Sequence, residues 1–214
     1  MKRPALLKAV LYDWDGTLVD SAAASLRSYV TLFGGYGIAY GPEEFQRTYS
    51  PNWHRTYAAL GLPRERWDEA DARWLEIYAF ERNTLLPRAL DLLSGLRAAG
   101  LAQGLVTSGS RPRVERDLAR LEVAAYFGVV ICGGDTAERK PHPEPLEVAM
   151  ARLGVAASEC VYVGDSPEDI EMARAAGVFA VGIPGAFPNT EALLASNPDA
   201  RVEDLGALRL MLAP

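Results

Sequence analysis

The stretch DWDGTLVDS, residues 13–21, places two carboxylates two positions apart at the end of an apolar run and follows them with Gly16 and Thr17. The preceding AVLY, Ala9 to Tyr12, reads as a buried strand, so Asp13 falls where a strand ends and a crevice begins. Acidic groups gathered there call for something positive opposite them. Asp-Gly alone is an ordinary turn dipeptide, so the pair gains meaning only from what else reaches the same place. Three later segments do so. Thr107-Ser108-Gly109-Ser110 offers hydroxyls and free backbone N–H groups at a helix start, a set suited to phosphate. Lys140 sits in the proline-rich turn ERKPHPEP, and GDSPED places Asp165 at a strand end and Asp169 in the first turn of a helix. Taken singly, these are a helix cap, a solvated lysine and a favourable helix-dipole charge. Four such groups at four strand ends of one crevice point to chemistry.

The elements that must carry these residues alternate with regularity. Helix Ala89 to Ala99 leads to strand Ala102 to Val106, and helix Arg111 to Leu121 to strand Val129 to Cys132. Helix Pro143 to Leu153 then leads to strand Cys160 to Val163, and helix Pro167 to Ala176 to strand Val178 to Ile183. Repeated βα units predict an α/β fold with a parallel sheet covered by helices on both faces, its ligands at the carboxyl ends of the strands. Between Leu18 and Leu85 the pattern turns wholly helical, with apolar residues at helical spacing in Ala22 to Phe33 and at Trp67, Trp74, Leu75 and Tyr78. This predicts a helical insertion at 19–85, hinged at 19–21 and 85–87, in a core formed by 1–18 and 86–214.

Composition bounds the class. The 214 residues are 49% hydrophobic and 23% charged with net charge −6, enough for a well-buried core, and no basic cluster of five or more appears. Nucleic acid and membrane are therefore not expected partners. The opening MKRPALLKAVLYD imitates a signal peptide, but Lys8 and Asp13 interrupt its apolar run. Cys132 and Cys160 lie in strand-like segments without C-x-x-C spacing and read as buried free thiols, which fits a cytoplasmic setting.

The order of these motifs resembles the haloacid dehalogenase superfamily, in its branch of phosphoglycolate phosphatase-like and β-phosphoglucomutase-like enzymes with a helical C1 cap. DWDGT matches the nucleophile motif, Thr107 the hydroxyl motif, Lys140-Pro141 the lysine motif and GDSPED the acidic motif. The resemblance implies a Rossmann-like, doubly wound core and hydrolysis of small phosphomonoesters through an aspartyl-phosphate. In that reading Asp13 attacks phosphorus and Asp15 is acid for the leaving alcohol, then base for water. Lys140 neutralises charge, while Gly16, Thr107, Ser108, Gly109 and Lys140 hold the phosphoryl group. Mg²⁺ is implied as cofactor, on Asp13, Asp165 and the backbone carbonyl of Asp15. Asp169 is either a further ligand or the group that orients Lys140.

Specificity is expected from the insertion, where FQRTYSPNWHRTY offers Arg47, Asn52, His54 and Arg55. Its Ser50-Pro51-Asn52-Trp53 departs from the Gly-rich version of many phosphoglycolate phosphatase-like caps. The expected partner is a small phosphorylated metabolite, with monomer and homodimer left open. A sugar-phosphate mutase or a pyrophosphatase is the alternative activity. A dehalogenase would lack the second carboxylate of the motif, and a phosphonatase would need a cap lysine, yet no Lys lies between Lys8 and Lys140. A receiver-like phospho-acceptor would have no large insertion and no use for Asp15.

Overall fold

The computed structural model describes residues 4–212, so the two ends of the expected core, 1–3 and 213–214, lie outside the described residues. Eight strands and ten α-helices are assigned among these residues. The first third contains β1 (Ala9–Tyr12), β2 (Val19–Asp20), α1 (Ala22–Gly34), α2 (Pro42–Thr48), α3 (Trp53–Ala59), α4 (Trp67–Tyr78) and β3 (Thr84–Leu85). Next come α5 (Ala89–Ala98), β4 (Ala102–Ser110), α6 (Arg111–Arg120), β5 (Val129–Gly133), α7 (Glu144–Leu153), β6 (Cys160–Gly164) and α8 (Pro167–Ala175). The chain finishes with β7 (Phe179–Gly182), α9 (Thr190–Ala195), β8 (Ala200–Arg201) and α10 (Leu205–Leu212).

Six strands form one parallel sheet in the order β5-β4-β1-β6-β7-β8. The chain winds outward from β1 through β4 to β5, then returns to the other side of β1 for β6, β7 and β8. Strand β1 is therefore the point where the winding reverses, and a crevice opens at its carboxyl end. Alternation along the strands supplies two apolar faces. Val10 and Tyr12 join Leu92, Leu93, Leu118 and Leu208 on one side, while Ala9 and Leu11 join Leu146, Met150 and Ile170 on the other.

A third apolar cluster, with Tyr29, Leu32, Phe33, Phe45 and Tyr57, is built almost entirely from the helices between β2 and β3. Its one fully core-derived member is Phe187, from the loop after β7, which stacks on Tyr49 with ring centroids 4.7 Å apart. The chain enters and leaves this helical unit through an antiparallel pair, Val19 opposite Leu85 and Asp20 opposite Thr84. Val19, Asp20 and Leu85 lie within the segments 19–21 and 85–87, and Thr84 lies one residue before the second.

The expected elements are present with shifted ends. Strand β4 runs on to Ser110 rather than stopping at Val106, because the chain steps through an irregularity and Ser110 pairs with Gly133. Helix α7 begins at Glu144, with Pro143 as its cap, and β7 is shorter at both ends than the apolar run suggested. No described helix is long and apolar enough to cross a membrane. Cys132 and Cys160 are buried free thiols, each pushed up to about 11 by burial.

Candidate active site

Asp13, Lys140, Asp165 and Asp169 meet at the carboxyl ends of β1 and β6. The backbone N–H of Asp13 donates to the Val163 carbonyl at 2.9 Å, so the ladder between β1 and β6 extends to the carboxylate and fixes where it projects. Lys140 Nζ donates to Asp13 Oδ1 at 2.6 Å and to Asp169 Oδ1 at 2.8 Å. All three side chains are buried. Burial alone would lower the Lys140 pKa, but the two carboxylates outweigh it and hold the ammonium charged.

Asp169 is fully engaged. Besides Lys140, its Oδ1 lies 3.0 Å from the Tyr162 hydroxyl, and its Oδ2 accepts from the Ser166 backbone N–H and hydroxyl. Ser166 in turn caps α8 by accepting from the Asp169 N–H, a reciprocal capping box. The helix start thus doubles as a clamp on the carboxylate that holds Lys140.

Asp165 is the opposite case. It is buried, yet its Oδ2 has no hydrogen-bond partner among the described residues. Burial raises its pKa well above the usual carboxylate range, with Asp13 and Asp169 adding repulsion. Asp13 is likewise raised, to about 7, chiefly by burial and against the pull of Lys140. Orphaned buried oxygens facing other carboxylates are costly unless a cation joins them. One carboxylate oxygen from each of Asp13, Asp165 and Asp169 lies within 4.8 Å of the others, and an all-oxygen donor set fits a hard divalent ion such as Mg²⁺. Gly16 belongs to the same arrangement. Its φ of 83° is in the left-handed region, and a Cβ there would collide with Asp165 Oδ2 and Phe187.

Asp15 points elsewhere. Its carboxylate is gripped by Arg113, with Nη1 donating to Oδ1 at 2.9 Å and Nη2 to Oδ2. Sequence reasoning did not single out Arg113. Arg111, Arg113, Arg116 and Arg120 all fall on α6, and only the face that α6 turns inward separates Arg113 from its neighbours.

A cavity of about 240 Å³ covers these groups and is lined from the sheet side by Asp13, Asp15, Thr107, Ser108, Gly109 and Lys140. Thr107 Oγ1 accepts from the Gly109 N–H, which folds the segment into a tight local turn. The helical unit contributes a largely aromatic wall, including Tyr29, Tyr49, Trp53, Tyr57 and Trp74. Arg47, Asn52, His54 and Arg55 are not among the lining residues. Asn52 caps α3 by accepting from the His54 N–H, His54 pairs with Asp71 at 3.1 Å and packs on Trp67, and Arg55 reaches toward Glu168 at 3.7 Å. Arg47 is exposed near the end of α2. Arg139, on the cavity rim with its guanidinium over the Trp53 ring, is the lining cation not engaged by a carboxylate among the described residues.

A doubly wound parallel sheet with a lysine set among carboxylates at its switch point defines an α/β enzyme architecture. Residues 10–183 match the haloacid dehalogenase-like hydrolase family, and the chain belongs to that family. A phosphoglycolate phosphatase from Salmonella typhimurium is 33% identical over 220 residues, covering 90% of this chain and 87% of its own length. In fold, the chain is similar to a candidate phosphoglycolate phosphatase from Lactobacillus plantarum, with TM-score 0.89 and 24% identity over 97% of this chain and all of that one. It is also similar to CbbY from Rhodobacter sphaeroides, solved in complex with phosphate, with TM-score 0.81 and 23% identity over 95% and 96% of the two chains.

Proposed function

We propose that this hydrolase is a Mg²⁺-dependent phosphatase of small phosphomonoesters, using Asp13 as nucleophile. The observation that carries the reading is the placement of Lys140 between Asp13 and Asp169, opposite the orphaned oxygen of Asp165. A phosphoryl group seated there meets a nucleophile, an ammonium and the N–H and hydroxyl groups of 107–110 together. Asp13 attacks phosphorus and displaces the alcohol, forming an acyl phosphate on its own side chain. Asp15 protonates the departing oxygen, then takes a proton from the water that releases phosphate. Asp13 and Asp165 would hold the divalent ion, with the Asp15 carbonyl, and Asp169 orients Lys140. When bound, the ion neutralises phosphoryl oxygens and aligns them with the nucleophile.

Residues 19–85 form the cover that surrounds the leaving group, within a cytoplasmic protein. The phosphatase relatives favour phosphoglycolate as a first substrate to try. Its carboxylate would need a cation, and Arg139 is the one the cavity offers. The test is release of inorganic phosphate from a panel containing phosphoglycolate, both glucose phosphates, pyrophosphate and p-nitrophenyl phosphate. Hydrolysis of none of these would reject the reading, and conversion of one glucose phosphate into the other without phosphate release would favour the mutase.

Two further results are expected from this site. Asp15→Asn should let p-nitrophenyl phosphate, whose leaving group needs little protonation, phosphorylate Asp13 while the water step stalls. Turnover then falls by about 10²–10⁴, and mass spectrometry after acid quench finds phosphate on Asp13. Mg²⁺ binding near pH 7 should release protons, because Asp13, raised to about 7, is part-protonated there and Asp165 is raised too. Lowering the pH through 7 returns those protons, so affinity weakens in that direction. Titration calorimetry in two buffers of different ionisation heat reads the released protons, and equal heats would contradict this.

A further inference from the structure

The arginine that grips Asp15 also touches the segment by which the chain leaves the helical unit. Arg113, Arg116, Asp117 and Arg120 recur at helical spacing on one side of α6. Arg116 Nη1 donates to the Ala79 carbonyl at 2.9 Å, Arg120 Nη2 donates to the Asn83 carbonyl, and Asn83 Nδ2 donates to Asp117 Oδ2 at 3.4 Å. Asn83 Nδ2 also donates to the Tyr78 hydroxyl at 3.0 Å, and the Tyr78 ring lies 5.2 Å from the Arg113 guanidinium carbon. One helix side therefore holds residues 78–83 and Asp15 at once.

We propose that Arg113 is a positioning residue for Asp15, which fixes the carboxylate toward the leaving oxygen and ties its orientation to the placement of Tyr78. The proposal rests on the acid–base reading of Asp15 given above. Both Asp15 oxygens are bound by one planar fork, so the carboxylate has no free rotation about its last bond. Such a fixed aim is what a group needs when it must face the alcohol oxygen and then a water from one place. Arg113 is itself almost wholly buried, an expensive placement that a merely solvated surface arginine would avoid. Space has been cleared for it. A Cβ at Gly109, in the turn that faces the phosphoryl site, would collide with Arg113 Nη2, so the glycine serves the guanidinium as well as the turn.

The test compares p-nitrophenyl phosphate with an alkyl phosphate, whose poor leaving group depends fully on protonation. In Arg113→Met, kcat/KM should fall about 100-fold on the alkyl ester and tenfold or less on p-nitrophenyl phosphate, as expected when acid assistance is impaired rather than binding. Arg113→Lys should recover only part of the loss, since it keeps the charge but not the fork. Arg113→Gln, which fills much of the same space and keeps an amide donor but not the fork, should reproduce the unequal loss if the methionine variant folds poorly. Equal loss on both substrates in Arg113→Met and Arg113→Gln, or no loss, overturns the proposal while Asp15→Asn still shows the unequal pattern. Absence of that pattern in Asp15→Asn overturns the acid–base assignment and the proposal together.

Discussion

Asp13→Asn is expected to abolish phosphate release, with a loss of roughly three orders of magnitude or more in kcat on every substrate the enzyme accepts. An amide nitrogen or oxygen at that position cannot form the acyl phosphate, and no neighbouring group can take its place. Lys140 is a cation, Asp165 follows a different strand, and both oxygens of Asp169 are occupied. The substitution preserves shape at a buried position, so the circular dichroism spectrum should match the parent. A variant that folds normally and retains turnover within tenfold would remove Asp13 as nucleophile.

Lys140→Met should be the most damaging of these changes to stability, and it should cost activity as well. It leaves Asp13 and Asp169 buried without the ammonium that bridges them, and breaking a buried ion pair from one side costs about 3–5 kcal/mol. The loss depends on pH in a definite direction. Asp13 already has a folded-state pKa of about 7, above its unfolded value of 3.8, so ionising it destabilises the fold. Removing Lys140 removes the main influence that lowers this pKa. The stability deficit of the metal-free variant should thus be small near pH 4, where Asp13 carries its proton in the folded parent and the folded variant alike, and grow as pH rises through 7. Denaturant melts at pH 5 and pH 8 without divalent ions measure the difference. A deficit that is equal at the two pH values would show that Lys140 does not balance these carboxylates. Activity should fall with it by about 10²–10³ through loss of charge neutralisation, and Lys140→Arg should not restore it, since a planar fork cannot occupy the point between two carboxylates.

Much of the sheet could be read from the chain because each βα unit carries its own punctuation, and the strand ends then place Asp13, Lys140, Asp165 and Asp169 in one crevice by topology alone. What escaped depends on packing rather than on local pattern. Thr107 to Ser110 has the composition of a loop, yet pairing of Ser110 with Gly133 carries it into the sheet, a case of tertiary context overriding propensity. Arg113 could not be told from three other arginines of α6 until the inward face was known. In the segment 45–57, expected to be a substrate loop, the polar residues Arg47, Asn52, His54 and Arg55 stand out in the sequence, whereas Tyr49, Ser50, Pro51 and Trp53 of the same segment line the cavity. In the fold Asn52 and His54 are taken up by local partners, and aromatic side chains that read as core line the cavity as well. Strand β8, only two residues long, and helices α9 and α10 lie beyond the last motif and were not anticipated.

The central place of β1 also sets the order in which this protein can be assembled. Ala9 stands in register with Ala102 on one side and Cys160 on the other, so the segment bearing the nucleophile is synthesised well before either neighbour and completed late. While the ribosome is still translating the middle of the chain, AVLY has neither neighbour. The helices between residues 22 and 78, whose contacts are mostly with one another, can form in the meantime. An apolar strand waiting with two open edges is prone to pair with the wrong partner. The nascent chain is therefore most vulnerable to aggregation in the interval before residues 160–164 emerge, and a stop codon placed in that interval should yield a product that precipitates although its helical part is intact.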